Sequence, residues 1–286
     1  MAEKHQLDRS ILRAYDIRGI VGKTLHVKDA YYIGRAFATK LSKQFPGKRL
    51  RVCVGYDGRE SSPDMEKSLV KGLEESGVDI IRIGLGPTPM LYFAVKNLTA
   101  NGGIMITGSH NPQEYNGFKM LTSKETLYGD AIEQLGRTVG LGYFPEGDGT
   151  PMQDKTTFDK YIEALLGGFQ NPGKARKLKV AWDPGNGAAG DVVAKLCAQL
   201  PGEHVLINEK IDGTFPAHHP DPTEEKNLKQ LIDVVKKEKC DFGVAFDGDG
   251  DRIGAVDSKG RVVWGDQLMI LFARDVLVAH PGSTII

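Results

Sequence analysis

The sequence has few cysteines, no net charge and no long apolar run, and each of these absences removes a class of protein. Its three cysteines, Cys53, Cys197 and Cys240, are odd in number and widely separated, which argues against a disulfide framework. Each follows or lies within an apolar segment, where a buried free thiol is expected. The 37 Lys and Arg balance the 37 Asp and Glu, so no global field gathers nucleic acid or an anionic membrane. A small substrate held by local charge remains allowed. The start, Met1-Ala2-Glu3-Lys4-His5-Gln6, lacks the apolar core of a signal peptide. The most apolar stretch, residues 268–279, is broken by Arg274 and Asp275 and falls short of the ~18 residues of a membrane span. Together these features predict a cytoplasmic protein with neither nucleic acid nor membrane among its partners.

What is present is an α/β pattern. With 40% hydrophobic and 26% charged residues the composition is that of an ordinary globular protein, and 286 residues suffice for roughly two domains. Short β-rich runs alternate with longer helical ones. Strands are expected at 50–55, 78–83, 103–106, 178–182, 205–208 and 242–246, and helices at 62–75, from the turn at 86–89 to about 96, and at 156–166, 188–200, 227–238 and 265–279. Pro63 opens the first of these helices and Gly77 closes it. A Pro/Gly/Asp-rich stretch at 143–154 marks a domain boundary. Four segments share one plan, an apolar strand running into Gly or Asp: 52–57, 180–183, 244–247 and 283–286. The last begins a strand at the very end of the chain, and a strand this apolar should be buried between neighbours and continue. The expectation is therefore a piece of a longer protein.

Two clusters carry chemistry. The first is Thr107-Gly108-Ser109-His110-Asn111-Pro112, followed by Asn116-Gly117-Phe118-Lys119-Met120. A serine in a tight loop at the end of a strand is expected to be exposed and placed to receive a group. His110 and Lys119 could then supply a proton donor and a cation to a transferring phosphoryl group. A Ser/Asn/Pro turn between strands explains this cluster alone about as well. The second is Asp247-Gly248-Asp249-Gly250-Asp251-Arg252, directly after a strand. Carboxylates at alternate positions with glycines between them can fold around one hard cation, and magnesium suits phosphoryl transfer because it can share a phosphate oxygen. An EF-hand fails on residues, since the sixth position is Arg252 rather than Gly and the twelfth is Ser258 rather than Glu. Arg252 either neutralises the aspartates or serves as a donor fork for phosphate oxygens.

Together the two clusters resemble the α-D-phosphohexomutase family, in its phosphomannomutase/phosphoglucomutase branch. The resemblance extends to Ala14-Tyr15-Asp16-Ile17-Arg18-Gly19, Tyr56-Asp57-Gly58-Arg59 and Phe215-Pro216-Ala217-His218-His219-Pro220-Asp221-Pro222, in the family's order and over nearly the whole chain. It implies two successive three-layer α/β domains with mixed sheets, 1–153 and 154–260, plus the start of a third at 261–286. It implies Ser109 as the phosphoserine, and Mg²⁺ held by Asp247, Asp249 and Asp251 with an oxygen on Ser109. It also implies Lys119, His110, Arg252 and Arg18 around the phosphoryl group, with Tyr15 beside the substrate. The substrate class is a hexose 1-phosphate or 6-phosphate, mannose or glucose, with a hexose 1,6-bisphosphate as intermediate and activator. His218 and His219 are left out, because a turn stiffened by three prolines accounts for them. The family's sugar-recognition loop and its second phosphate-binding loop, in the third and fourth domains, have no counterpart here. A non-catalytic metal- and phosphosugar-binding fragment is therefore an alternative.

A rival reading uses Gly185-Asn186-Gly187-Ala188-Ala189-Gly190, a formal GxGxxG between a strand and a helix, with Glu209 placed as the ribose-binding acid of a NAD-dependent oxidoreductase. It leaves both clusters without a job. A glycine-rich turn packed closely on its sheet is the simpler account. Gly22-Lys23-Thr24 mimics the end of a P-loop, but Ile17 stands where its first glycine is required.

Overall fold

A computed structural model describes residues 5–169 and 176–285. Its first sheet contains β1 (Ile17–Ile20), β2 (Leu50–Tyr56), β3 (Val78–Leu85), β4 (Gly102–Ile106), β5 (Tyr115–Thr122) and β6 (Pro151–Gln153), in the spatial order β1-β5-β4-β2-β3-β6. Strands β4, β2, β3 and β6 are mutually parallel, while β5 runs against both its neighbours. Four helices accompany it: α1 (Val27–Gln44), α2 (Ser62–Glu74), α3 (Thr88–Asn97) and α4 (Asp130–Leu141).

The three layers follow from alternation along the central strand. Val52 and Val54 join a core with Ile33, Phe37 and Leu41 of α1 and Met65, Leu69 and Leu73 of α2. Cys53, between those valines, faces the other way into a core with Met90, Leu91, Ala94 and Val95 of α3. Fully burying side chains of this kind stabilises by roughly 1.5–3 kcal/mol each. Pro63 lies in the first turn of α2, and Gly77, at φ 74°, follows its last residues in a left-handed conformation that glycine adopts freely.

Helix α5 (Thr157–Gly168) leads on to the second sheet, packing its Tyr161 ring 5.5 Å from that of Phe93 in α3. That sheet comprises β7 (Lys179–Asp183), β8 (Glu203–Leu206), β9 (Phe242–Phe246), β10 (Ile253–Asp257) and β11 (Val262–Val263), in the order β11-β10-β9-β7-β8. Here β8, β7 and β9 are parallel, and β10 and β11 continue antiparallel. Helices α6 (Gly190–Cys197) and α7 (Lys229–Lys237) belong to this unit, and Leu231 and Val235 of α7 close a core over Ala181 and Ala245. Helix α8 (Gly265–Ala279) is the last element among the described residues, with Leu268 as its one buried residue.

Several expectations need correction. The stretch 143–154, marked above as a domain boundary, carries regular structure of its own: residues 151–153 add a parallel strand to the edge of β3, and Gly147 bridges Ser76. The strand expected at 283–286 is not formed over 283–285, where none of the described residues offers a ladder, and residue 286 lies outside the described residues. The strand placed at 205–208 runs from Glu203 to Leu206, since Asn208 turns out at φ 53°. Cys53 and Cys240 are buried free thiols, but Cys197 is only half-buried near the end of α6.

Candidate active site

Both chemical clusters sit at carboxyl ends of parallel strands, where an open α/β sheet leaves its crevice. β4 delivers the chain to Ser109 and β9 delivers it to Asp247. The two loops meet: Ser109 Oγ donates to Asp247 Oδ2 at 3.1 Å, and His110 Nδ1 lies 3.4 Å from the same hydroxyl. Their contact is close enough to require glycine at position 248, where a Cβ would stand 2.4 Å from the Ser109 carbonyl oxygen. The serine expected to be exposed is in fact buried at 1% exposure, because the Asp247–Arg252 turn packs across its loop. It still lines one wall of an open cleft of about 690 Å³ that also takes in Tyr15, Arg18, Lys119, Asp251 and Arg252.

One oxygen from each of Asp247, Asp249 and Asp251 falls within 4.8 Å of the others. Lys119, inward-facing on β5, donates to Asp249 Oδ2 at 2.7 Å and also to Asp251. Burial works to lower the Lys119 pKa, but the two carboxylates outweigh it and hold the ammonium more firmly charged than usual. Asp247 is driven up to about 8 by burial and by the neighbouring charges of Asp249 and Asp251. Burial pushes on Asp249 in the same sense, yet Lys119 and the Thr88 hydroxyl, 2.5 Å away, bring it below the ordinary range. Asp249 Oδ1 is buried without a hydrogen-bond partner among the described residues, an expensive condition that a cation among the three carboxylates would relieve. The donor set fits a hard divalent ion.

Arg252 does not clamp the triad, since its Nε stands 4.0 Å from Asp247 Oδ2 and the side chain is 43% exposed. Arg18, on β1, pairs with Asp16 and leaves its buried Nε without a partner among the described residues. Tyr15 projects at the cleft mouth, 79% exposed. His110 is held below the ordinary histidine range by burial, then by the charges of Arg252 and Arg18, with the acidic groups opposing. All the predicted site residues therefore line or adjoin one cleft. Thr88, Asp57 and Arg59 are contributors that sequence reasoning missed. The Tyr56-Asp57-Gly58-Arg59 stretch itself was a signal, an acid and a base at the end of a strand adjacent to β4.

The glycine-rich turn at 185–190 is filled by protein. A Cβ at Gly190 would lie 2.0 Å from the Glu209 carbonyl oxygen, and one at Gly187 would lie 2.9 Å from that of Gly248. These glycines let the turn back the aspartate loop, with Ala188 N–H donating to Gly248 O at 2.9 Å. His218 is structural, its Nε2 lying 2.9 Å from Asp183 Oδ2.

Comparison with known proteins agrees with this geometry. Residues 9–136 match the profile described as phosphoglucomutase/phosphomannomutase, alpha/beta/alpha domain I, and residues 159–260 match domain II of the same family. The chain belongs to the α-D-phosphohexomutase family and corresponds to its N-terminal portion. Within that family it is 45% identical to a phosphomannomutase/phosphoglucomutase of Pseudomonas putida, over 98% of this chain and 59% of that protein. It is 42% identical to a phosphoglucomutase of Neisseria meningitidis, over 97% of this chain and 59% of the relative. A crystal structure of a phosphoglucomutase/phosphomannomutase family protein from Burkholderia thailandensis superposes with a TM-score of 0.90 at 40% identity, over 97% of this chain and 61% of that one. The chain thus spans about three fifths of the length of the relatives it matches.

Proposed function

We propose that this chain carries the phosphoserine and metal half of an enzyme that interconverts hexose 1-phosphates and hexose 6-phosphates of the mannose and glucose type. The observation that carries the reading is the 3.1 Å approach of Ser109 Oγ to Asp247, which joins a nucleophilic hydroxyl on one sheet to a carboxylate triad on the other. Phosphoryl transfer passes through a loose transition state, so charge neutralisation and alignment supply most of the catalysis. Magnesium held by Asp247, Asp249 and Asp251 with an oxygen on Ser109 would supply the positive charge that draws electron density from the phosphoryl oxygens.

The chain's own residues do the rest. In the first half-reaction the Oγ–P bond of phospho-Ser109 breaks as the free sugar hydroxyl bonds to phosphorus, giving a hexose 1,6-bisphosphate. In the second, the intermediate has turned round, and its other phosphoryl group passes to the Ser109 hydroxyl. Lys119, Arg252 and Arg18 face the phosphoryl oxygens, and Tyr15 borders the sugar. His110, kept neutral near pH 7 by its depressed pKa, suits the removal of a hydroxyl proton. Added hexose 1,6-bisphosphate would act as an activator by phosphorylating Ser109. We divide the chain into units at 1–153, 154–260 and 261–286, on the strength of its two sheets and the separate helix α8. We place it in the cytoplasm, for which its free cysteines speak, and no described helix is long and apolar enough to cross a membrane.

The test is incubation with glucose 1,6-bisphosphate and magnesium, followed by intact-mass measurement and peptide mapping. Phosphate on Ser109 that is discharged by glucose 6-phosphate or mannose 6-phosphate is the expected result. Labelling at another residue would overturn the reading. Labelling at Ser109 that hexose phosphates do not discharge would favour the binding fragment over the enzyme.

A further inference from the structure

Arg59 is one of the largest side chains that the fold buries completely, at 1% exposure. It stands just past the carboxyl end of β2, and all its side-chain nitrogens find acceptors. Nε donates to Asp57 Oδ2 at 3.0 Å, Nη1 to the carbonyls of Pro112 and Tyr115 at 2.6 and 3.0 Å, and Nη2 to those of Ser109 and Asn111 at 2.8 and 2.7 Å. Four of these five bonds end on the backbone of the single loop that carries Ser109. Asp57 completes the frame, accepting from the Gly108 N–H at 3.2 Å and from the Ser62 hydroxyl at 2.7 Å. A guanidinium is the side chain able to spread five fixed donors over one plane, and lysine offers a single point of charge.

The frame is needed because Ser109 sits at φ 50°, a left-handed conformation that a serine holds only when its surroundings over-determine it. The other face of the guanidinium is closed by the second unit. The Phe215 ring centroid lies 5.1 Å from Arg59 Cζ, and Phe215 itself is held at φ 51°. A Cβ at Gly213 would stand 2.6 Å from Arg59 Cα, so segment 211–215 seats directly on the arginine.

We propose that Arg59 is a positioning residue that fixes the backbone of Ser109 for phosphoryl transfer, and that Phe215 locks it in place from the second unit. The phosphoacceptor of one sheet is thereby set by a loop of the other, at a point distinct from the aspartate triad. The catalytic consequence rests on the reading of Ser109 as phosphoryl acceptor, while the structural one does not.

The experiment uses the full chain and the variants Arg59→Lys and Phe215→Leu, with two readouts. Hydrogen exchange follows the loop amides of Asn111 and Tyr115, bonded to Gly108 O and Pro112 O at 3.0 Å each, against β4 and β5 as internal controls. Phosphoryl uptake from glucose 1,6-bisphosphate follows the serine. Arg59→Lys is expected to lose loop protection while the flanking strands keep theirs. Its uptake at saturating donor should fall about 100-fold, as a displaced reacting group requires. The half-saturating donor concentration should stay within about threefold, since uniform binding is untouched. Phe215→Leu should move both readouts in the same direction by less. Unchanged loop protection in Arg59→Lys, or unchanged uptake despite a loosened loop, would overturn the proposal. If Arg59→Lys fails to fold, Phe215→Leu decides it, and intact loop protection there counts against it. A parent chain that takes up no phosphate would instead sink the phosphoserine reading and leave the exchange result to judge Arg59.

Discussion

At the scale of single residues the site is a problem of uncompensated charge. Three carboxylates crowd one turn, and the neighbour that neutralises them through short contacts is Lys119, reaching from a strand 130 residues away in sequence. Removing one partner of a buried ion pair typically destabilises by roughly 3–5 kcal/mol, because the remaining charge is left without compensation. Lys119→Met should therefore lower the unfolding free energy in chelator by about that amount. Magnesium or manganese should restore much of the loss, since a cation among the aspartates replaces the missing charge. Denaturant titrations with and without metal measure both effects, and a variant as stable as the parent in chelator would refute the compensation argument. The aspartates stood out because their alternate spacing is itself chemical information, whereas Ser109 was singled out by the resemblance, and the structure brings the two together. Arg59 showed only as part of a motif, and Thr88 not at all, because each acquires its contacts from a partner that the fold brings from elsewhere. In sequence Thr88 reads as nothing more than part of the turn Gly86-Pro87-Thr88-Pro89, yet its hydroxyl donates to the buried Asp249.

At the scale of elements, alternation of apolar strands and helices located most of the second sheet and the centre of the first. Helix α1 escaped because its inward face is not purely apolar: Asp29 and Arg35 are buried on it. The first accepts from His5 and the second donates to the Glu75 carbonyl and to Glu146, contacts that no periodicity reveals. Strand β5 escaped for a related reason, since Asn116 and Lys119 point polar groups inward and break the pattern of a buried strand. What the elements achieve jointly is a dovetail of two loops, and its tightest point is Gly248. No unusual backbone angle is recorded there, so alanine would act through volume alone, meeting the Ser109 carbonyl oxygen at 2.4 Å. Overpacking of this kind costs typically 1–3 kcal/mol, and the displaced serine should take up phosphate about 100-fold more slowly. Unfolding curves together with phosphoryl uptake for Gly248→Ala check both figures. Wild-type uptake in that variant would mean that the two loops adjust independently.

At the scale of the whole molecule the two sheets are unequal partners of helix α8. A helix this rich in apolar residues ordinarily buries them, yet Ile270, Leu271 and Val278 are 58%, 61% and 82% exposed and only Leu268 is buried. Little tertiary contact supports its hydrogen bonds, so its amides should exchange well before those of β9, by local opening rather than global unfolding. Exposed apolar side chains concentrated on one short helix are of the sort that drives association. The chain should therefore self-associate in a concentration-dependent way, and the combined replacement of Ile270, Leu271 and Val278 by lysine should return it to monomer. Because these side chains contribute little to the folded core, each replacement should change the unfolding free energy by no more than about 0.5 kcal/mol. Sedimentation velocity across a hundredfold range of concentration, with exchange mass spectrometry on the same samples, gives the answer. A parent chain that stays monomeric throughout, with α8 protected as strongly as β9, would mean that the helix is held by contacts stronger than its exposure indicates.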